Sequence, residues 1–221
     1  MAAAGVLLAT IDASIVNIAL PTISDYFETS VHTTAWVTIS YLLVVTAFLL
    51  VFGRLSDVYG QKLVFISGMI FFTVGSGLCI LSANIGQLIA FRAFQGFGAA
   101  MIMSNTPAIV TNAFPAEQRG MGLGVIGSVV SVGLMLGPPL GGMLIHYFGW
   151  HYIFAVNLPV GILGTIFSLK ILKERRADSS SKPFHPFDPL LWILSVTSFV
   201  LIFGIGGHSG LNFGWATIYL T

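Results

Sequence analysis

The chain has 221 residues, 56% of them hydrophobic and 8% charged, with Lys+Arg 9 against Asp+Glu 8. Soluble domains average about 25% charged residues, so this composition, with a mean hydropathy of +0.93, excludes a disordered protein, a basic-surfaced nucleic-acid binder and a coiled coil. One cysteine, Cys79, permits neither an internal disulfide nor a cysteine-based zinc site, and its apolar surroundings predict a buried thiol. An all-α membrane protein is expected.

A helix needs about 20 mainly apolar residues to cross the hydrocarbon core. Such segments run over 2–24, 33–53, 63–83, 86–106, 120–145, 152–172 and 189–207, and 215–221 reads as the first turns of an eighth. The first is too long, and too poor in amino-terminal positive charge, for a cleaved signal peptide. Lys and Arg collect in cytoplasmic loops. Arg54 and Lys62 lie between spans two and three, Arg119 between four and five, and Lys170, Lys173, Arg175, Arg176 and Lys182 follow span six. These loops share one side, and the opposite loops 25–32 and 146–151 hold no Lys or Arg. The expected orientation places the amino terminus in the cytoplasm, in the cytoplasmic membrane. The expected organisation is a six-helix bundle over 1–172, a cytoplasmic linker over 173–188 with its serine run and prolines, and over 189–221 a linking helix and the start of another.

Ionisable residues inside a membrane cost about 2.5–3.5 kcal/mol each at the helix centre on insertion scales, so they face a cavity or a partner. Asp12 interrupts span one and Arg92 lies within span four. At about 1.5 Å per residue, Asp12 sits roughly 15 Å from the cytoplasmic end of its helix and Arg92 roughly 9 Å from the outer end of its own. Their depths then differ by about 6 Å, within reach of an Arg side chain. Two readings stay open: a carboxyl that takes up and releases a proton as its Arg partner moves, and a static structural ion pair.

Glycine supplies the second signal. Gly133, Gly137 and Gly141 are four apart and share one helix face, a smooth stripe that lets another helix approach closely. Pro138 and Pro139 are expected to bend the helix there, and Gly142 completes the segment. No GxxxxGK[ST] is present, and these glycines lie in an apolar span, so phosphate binding is excluded. In the shortest basic loop, Gly53 and Gly60 are expected to shape a tight turn. Asp57 is placed there to cap or latch onto a helix terminus, with Arg54 and Lys62 facing the cytoplasm.

Together these segments resemble the major facilitator superfamily, and more narrowly the amino-terminal half of its fourteen-helix drug:H⁺ antiporters. Segment 53–62 is similar to the signature GxLaDrxGrk between helices two and three, with Gln61 at a usually basic position. Segment 88–100 resembles the helix-four motif, whose Arg, here Arg92, is implicated in proton coupling. Segment 133–142 resembles the helix-five antiporter motif GxxxGPxxGG. Segments 11–21 and 150–159 resemble the first-helix motif and the start of helix six, the latter with His151 where Arg is more frequent. The resemblance implies two inverted three-helix repeats, a cavity facing a second bundle, and two extra helices linking the bundles. A complete transporter of this kind is about twice as long, so a second transporter half or a homodimer partner is expected.

No catalytic constellation is found. The five histidines fall in or beside loops without HExxH or paired-carboxylate spacing, so no enzyme, metal or cofactor is expected. Trp36, Trp150, Trp192 and Trp215 lie near span ends, as an interfacial aromatic belt requires, and Phe91, Phe94 and Phe97 surround Arg92 in sequence. The expected function is proton-coupled export of small amphipathic or drug-like solutes across the lipid bilayer by alternating access. Asp12 and Arg92 would couple protons, Gly53, Arg54, Asp57, Gly60 and Lys62 would form the cytoplasmic gate motif, and Gly133, Gly137, Pro138, Gly141 and Gly142 the antiporter helix motif. The alternative is a non-transporting membrane scaffold or assembly subunit built on the same bundle; solute uptake is weakened by the helix-five motif.

Overall fold

The computed structural model describes residues 2–172 and 191–198. The linker 173–188, most of span seven and the start of span eight lie outside the described residues. Two compact units divide the chain, Met1–Phe184 and His185–Thr221; in the second, residues 191–198 are helical.

In the first unit the helices are α1 (Ala2–Tyr26), α2 (Val31–Tyr59), α3 (Gln61–Ile80), α4 (Ile85–Ala113), α5 (Arg119–Phe148), α6 (Tyr152–Ala155) and α7 (Asn157–Ile171), with a 3₁₀ turn at Ala116–Gln118. Counting α6 and α7 as one span, six spans are long and apolar enough to cross a membrane. Side chains start two of them: Ser30 accepts from Thr33 N at 3.1 Å, and Asn84 accepts from Gln87 N at 2.9 Å. The helices outrun the apolar segments that predict them. α2 continues through Gly53, Arg54 and Asp57 to Tyr59, because charge ends the hydrocarbon span but not the helix. Gly60 alone makes the reversal into α3, with φ 97°, a conformation that favours glycine. Gly53 is therefore a helix residue.

The sixth span breaks at Val156. Pro159 has no N–H for the Ala155 carbonyl, so the α-helical ladder cannot run through this point. By contrast, α5 stays helical through Pro138 and Pro139. Pro138 deprives the Leu134 carbonyl of its donor, and Ser14 Oγ of α1 supplies one at 3.0 Å.

The closest packings are α3 on α4, α2 on α4 and α1 on α5. Exchanging spans one and four, two and five, and three and six turns the α2–α4 pair into α5–α1, as two inverted three-span repeats require. Glycine sets these approaches. A Cβ at Gly98 of α4 would collide with the Phe72 backbone of α3, and one at Gly75 of α3 would lie 2.8 Å from Gln95 Cα. In the α1–α5 seam, a Cβ at Gly133 would collide with Thr10, one at Gly137 with Ser14, and one at Gly141 would meet Ile15 Cγ2 at 3.3 Å. With Gly122, these three are the buried residues of α5. Ile126, Val130, Leu144 and Ile145 are partly buried against the core, and most of the remaining α5 residues are exposed, up to Met135 at 79%.

Candidate functional site

Asp12, midway along α1, is 1% exposed, and Arg92 of α4 is fully buried. Arg92 Nη1 donates to Asp12 Oδ2 at 2.6 Å. Asp12 Oδ1 accepts from Asn157 Nδ2 of α7 at 2.6 Å and from Gln95 Nε2 of α4 at 3.2 Å. Both amides also donate to Ser76 Oγ of α3, Gln95 at 2.7 Å and Asn157 at 3.3 Å. Arg92 Nη1 reaches Gln95 Oε1 at 2.6 Å, and Arg92 Nε donates to the Val37 carbonyl of α2 at 3.4 Å. The guanidinium carbon lies 4.2 Å from the Tyr41 ring centre and 5.6 Å from that of Phe154. One carboxylate thus draws together α1, α2, α3, α4 and both parts of the sixth span.

Local sequence explains each placement. Arg92 and Gln95 are three apart and share a face of α4. Gly75 leaves room for the Gln95 backbone, which brings Gln95 onto Ser76. Asn157 opens α7 directly after the break that Pro159 imposes. In a low-dielectric interior, charges persist only when paired and hydrogen-bonded, and three donors on Asp12 meet that condition. Two buried atoms of the network have no hydrogen-bond partner among the described residues: Arg92 Nη2 and Asn157 Oδ1. Cys79 is buried, as expected, with Sγ 3.9 Å from Gln95 Oε1.

Apolar clusters close the network on both sides along α1. One contains Val6, Leu8, Phe65, Met69, Phe72 and Ile102; the other contains Ile15, Ile23, Leu88, Trp150 and Phe154. Trp150 is 2% exposed. It plugs the bundle rather than joining an interfacial belt, with Tyr26 at 5.4 Å, Phe27 at 5.5 Å and His151 stacked on it at 3.8 Å between ring centres. Burial pushes the His151 imidazole below its ordinary value. The rings over Arg92 are Tyr41 and Phe154, not the neighbours in sequence. Phe94 stacks on Phe71 and Phe97 packs on Phe48, because adjacent helical residues point to different faces.

The gate-motif residues cluster at the α2–α3 turn. Asp57 is exposed and makes no hydrogen bond or ion pair among the described residues; α3 begins on Gly60 without a side-chain cap. Arg54 is exposed, Lys62 is half-buried, and Gln61 Oε1 accepts from Asn112 Nδ2 of α4 at 3.0 Å. In the helix-five motif, Gly133, Gly137 and Gly141 meet α1, Pro138 is exposed, and Gly142 has nothing within 4 Å of a Cβ. An open cleft of about 560 Å³ lies along α1 and α5, lined by Leu7, Met121, Gly124, Val125, Ser128, Val129 and Val132. Asp12 does not line it.

Gln95, Asn157 and Ser76 were not singled out from the sequence as site residues. The signals that point to Gln95 and Asn157 are the three-residue spacing of Gln95 from Arg92 and a polar Asn157 two residues before Pro159 in an apolar span.

Six apolar spans pack around a buried ion pair among the described residues, and residues 2–221 match the Major Facilitator Superfamily. The chain belongs to that superfamily and is a multi-pass membrane protein. It is 40% identical over 210 residues to "Riboflavin transporter RibZ" of Clostridioides difficile (strain 630), covering 95% of this chain and 46% of that protein. It is 38% identical over 170 residues to "Multidrug resistance protein 3" of Bacillus subtilis (strain 168), covering 77% of this chain and 33% of that one. The crystal structure of a bacterial homologue of the human lysosomal transporter Spinster, inward-facing and unoccupied, superposes with TM-score 0.71 at 18% identity, over 85% of this chain and 45% of that one. The chain spans less than half the length of each of these proteins, and the relatives are consistent with the amino-terminal half of a drug-antiporter-type transporter.

Proposed function

We propose that this chain forms the proton-coupling bundle of an exporter of small amphipathic solutes in the cytoplasmic membrane. The observation that supports this most is the sealed pairing of Asp12 with Arg92, bridged by amides from two spans. A charged pair costs too much in lipid to be kept for packing alone, and it links the helices that alternating access must move.

In this reading Asp12 carries the proton. Protonation neutralises the carboxyl, weakens its hold on Arg92 and frees the spans to rearrange; release to the other side restores the pair. Gly133, Gly137 and Gly141 form a smooth seam on which α5 slides along α1, with Pro138 beside it. Asp57, with Gly53, Arg54, Gly60 and Lys62, forms a cytoplasmic latch whose counterpart lies on a second bundle, supplied by a longer chain or a homodimer partner. The basic residues at that end support a cytoplasmic amino terminus. Residues 1–172 are then the bundle, 173–188 a linker, and 189–221 the start of the connecting helices. Relatives named for riboflavin and for multidrug resistance support an amphipathic or drug-like solute, for which the apolar cleft on α1 and α5 is one wall.

The test is solute export driven by an imposed pH gradient in proteoliposomes. Asp12→Asn, which keeps shape but cannot carry a proton, abolishes the driven flux while the protein stays folded. Wild-type driven flux in that variant overturns the reading.

A further inference from the structure

We propose that Asn157 reads the protonation state of Asp12 by reversing its side-chain amide, and so ties that state to the sixth span; this rests on Asp12 being the proton carrier. Two amides donate to the same carboxylate oxygen, and they differ in what their own oxygens do. Gln95 Oε1 accepts from Arg92 Nη1 at 2.6 Å while its Nε2 serves Ser76 and Asp12. Its orientation is fixed at both ends. Asn157 Nδ2 donates to Asp12 Oδ1 and Ser76 Oγ, but its Oδ1 is buried and has no donor.

A carboxylate offers acceptors only, whereas a carboxylic acid adds one O–H donor. When Asp12 takes a proton from water on Oδ1, the Asn157 N–H is no longer the matching partner there. The unpartnered Asn157 Oδ1 is the acceptor that the new O–H needs. Turning the amide by about 180° about its terminal torsion, where rotation is broad and two-fold, replaces the N–H bond to Asp12 by one from the new O–H without changing volume, and gives up the longer 3.3 Å bond to Ser76 Oγ. Asn157 is also the first residue of α7, at the joint where Pro159 has already interrupted the sixth span. The side chain that responds thus sits at the weakest point of the helix it belongs to.

The titratable groups packed at this centre are Arg92 of α4, Tyr41 of α2, whose ring centre lies 4.2 Å from the guanidinium carbon, and Cys79 of α3, 3.9 Å from Gln95 Oε1. α5 carries Arg119, His146 and Tyr147 at its ends, α7 carries Lys170 at its far end, and Tyr152 of α6 is exposed. Among the helices packed on α1, Asn157 and Gln95 are the amides in contact with the carboxyl, and Asn157 is the one with a spare acceptor.

Infrared difference spectra of the full chain in lipid nanodiscs, recorded across a pH step, test this. Asp12→Asn identifies the C=O stretch of protonated Asp12. Asn157→Leu, close in shape but without hydrogen bonding, and Asn157→Ala, which is smaller and avoids any clash, both move that stretch to higher wavenumber. Gly142→Ala, which enters open space on the exposed side of α5 away from the network, leaves it in place. An unmoved stretch in both Asn157 variants overturns the assignment of Asn157 while leaving Asp12 as the carrier. Absence of any Asp12 band in the wild type overturns the carrier reading, and this inference with it.

Discussion

Two aspartates from neighbouring helices show what one bundle can and cannot complete by itself. Asp12 is sealed in the interior and accepts from Arg92, Gln95 and Asn157, all within the same chain. Asp57 stands exposed in the last turn of α2 without a partner among the described residues. A negative charge at a helix C-terminus opposes the helix dipole, a small cost at an exposed position. The interior carboxylate is fully partnered within the bundle, whereas the one at the rim has no partner among the described residues.

The sharpest way to break this contrast is to remove a partner from each. Arg92→Met leaves Asp12 buried and unpaired, and is expected to destabilise the bundle by about 3–5 kcal/mol, read as a lowered thermal midpoint in detergent. The double variant Asp12→Asn, Arg92→Gln recovers most of that loss. Asp57→Asn changes stability by about 0.5 kcal/mol or less in the same measurement. An equal loss from Arg92→Met and Asp57→Asn would erase the distinction.

The same contrast of completed and open faces runs along α5. Gly137→Val drives a side chain into Ser14 and is expected to cost about 1–3 kcal/mol, seen as a lower melting temperature. Gly142→Ala enters open space and leaves the melting temperature within error. A smaller effect comes from Ser14→Ala, which strips the Leu134 carbonyl of the donor that replaces Pro138. Hydrogen bonds between membrane helices average about 0.6 kcal/mol, and the loss is measured by thermal or denaturant unfolding.

The smallest effect concerns His151 on the Trp150 plug. Its folded-state value is depressed by burial, so the folded form holds fewer protons than the unfolded one. His151 therefore favours folding above the ordinary histidine value of about 6.5, and that contribution is lost as pH falls through and below it. His151→Phe removes this part of the pH dependence of the melting temperature.

The sequence made the charged centre legible because ionised groups in lipid are costly enough to stand out, and simple depth arithmetic brought Asp12 and Arg92 within reach. It did not reveal Gln95, Asn157 and Ser76. Uncharged polar residues cost little alone, and which face each helix turns inward depends on crossing geometry that one-dimensional spacing does not contain. The α5 glycines were readable from their period of four. Gly75 and Gly98, which set the α3–α4 approach, lie on different helices and show no common period. Gly53 reads as a turn residue because hydropathy marks where the hydrocarbon ends, while the helix ends where backbone geometry allows, at Gly60. Trp150 followed the same logic in reverse: its place near a span end suggested the lipid interface, but the aromatic ring packs inward between Tyr26, Phe27 and His151.

The central claim is that the buried Asp12 centre couples protons to solute movement. Its most direct test is the proton count accompanying solute flux in proteoliposomes, comparing wild type with Asp12→Asn under an imposed pH gradient. The account predicts that wild-type flux follows the gradient with protons moving oppositely to solute, and that Asp12→Asn loses both the driven flux and the proton movement. Gradient-driven flux with an unchanged proton count in Asp12→Asn would contradict it and reduce the pair to a structural one.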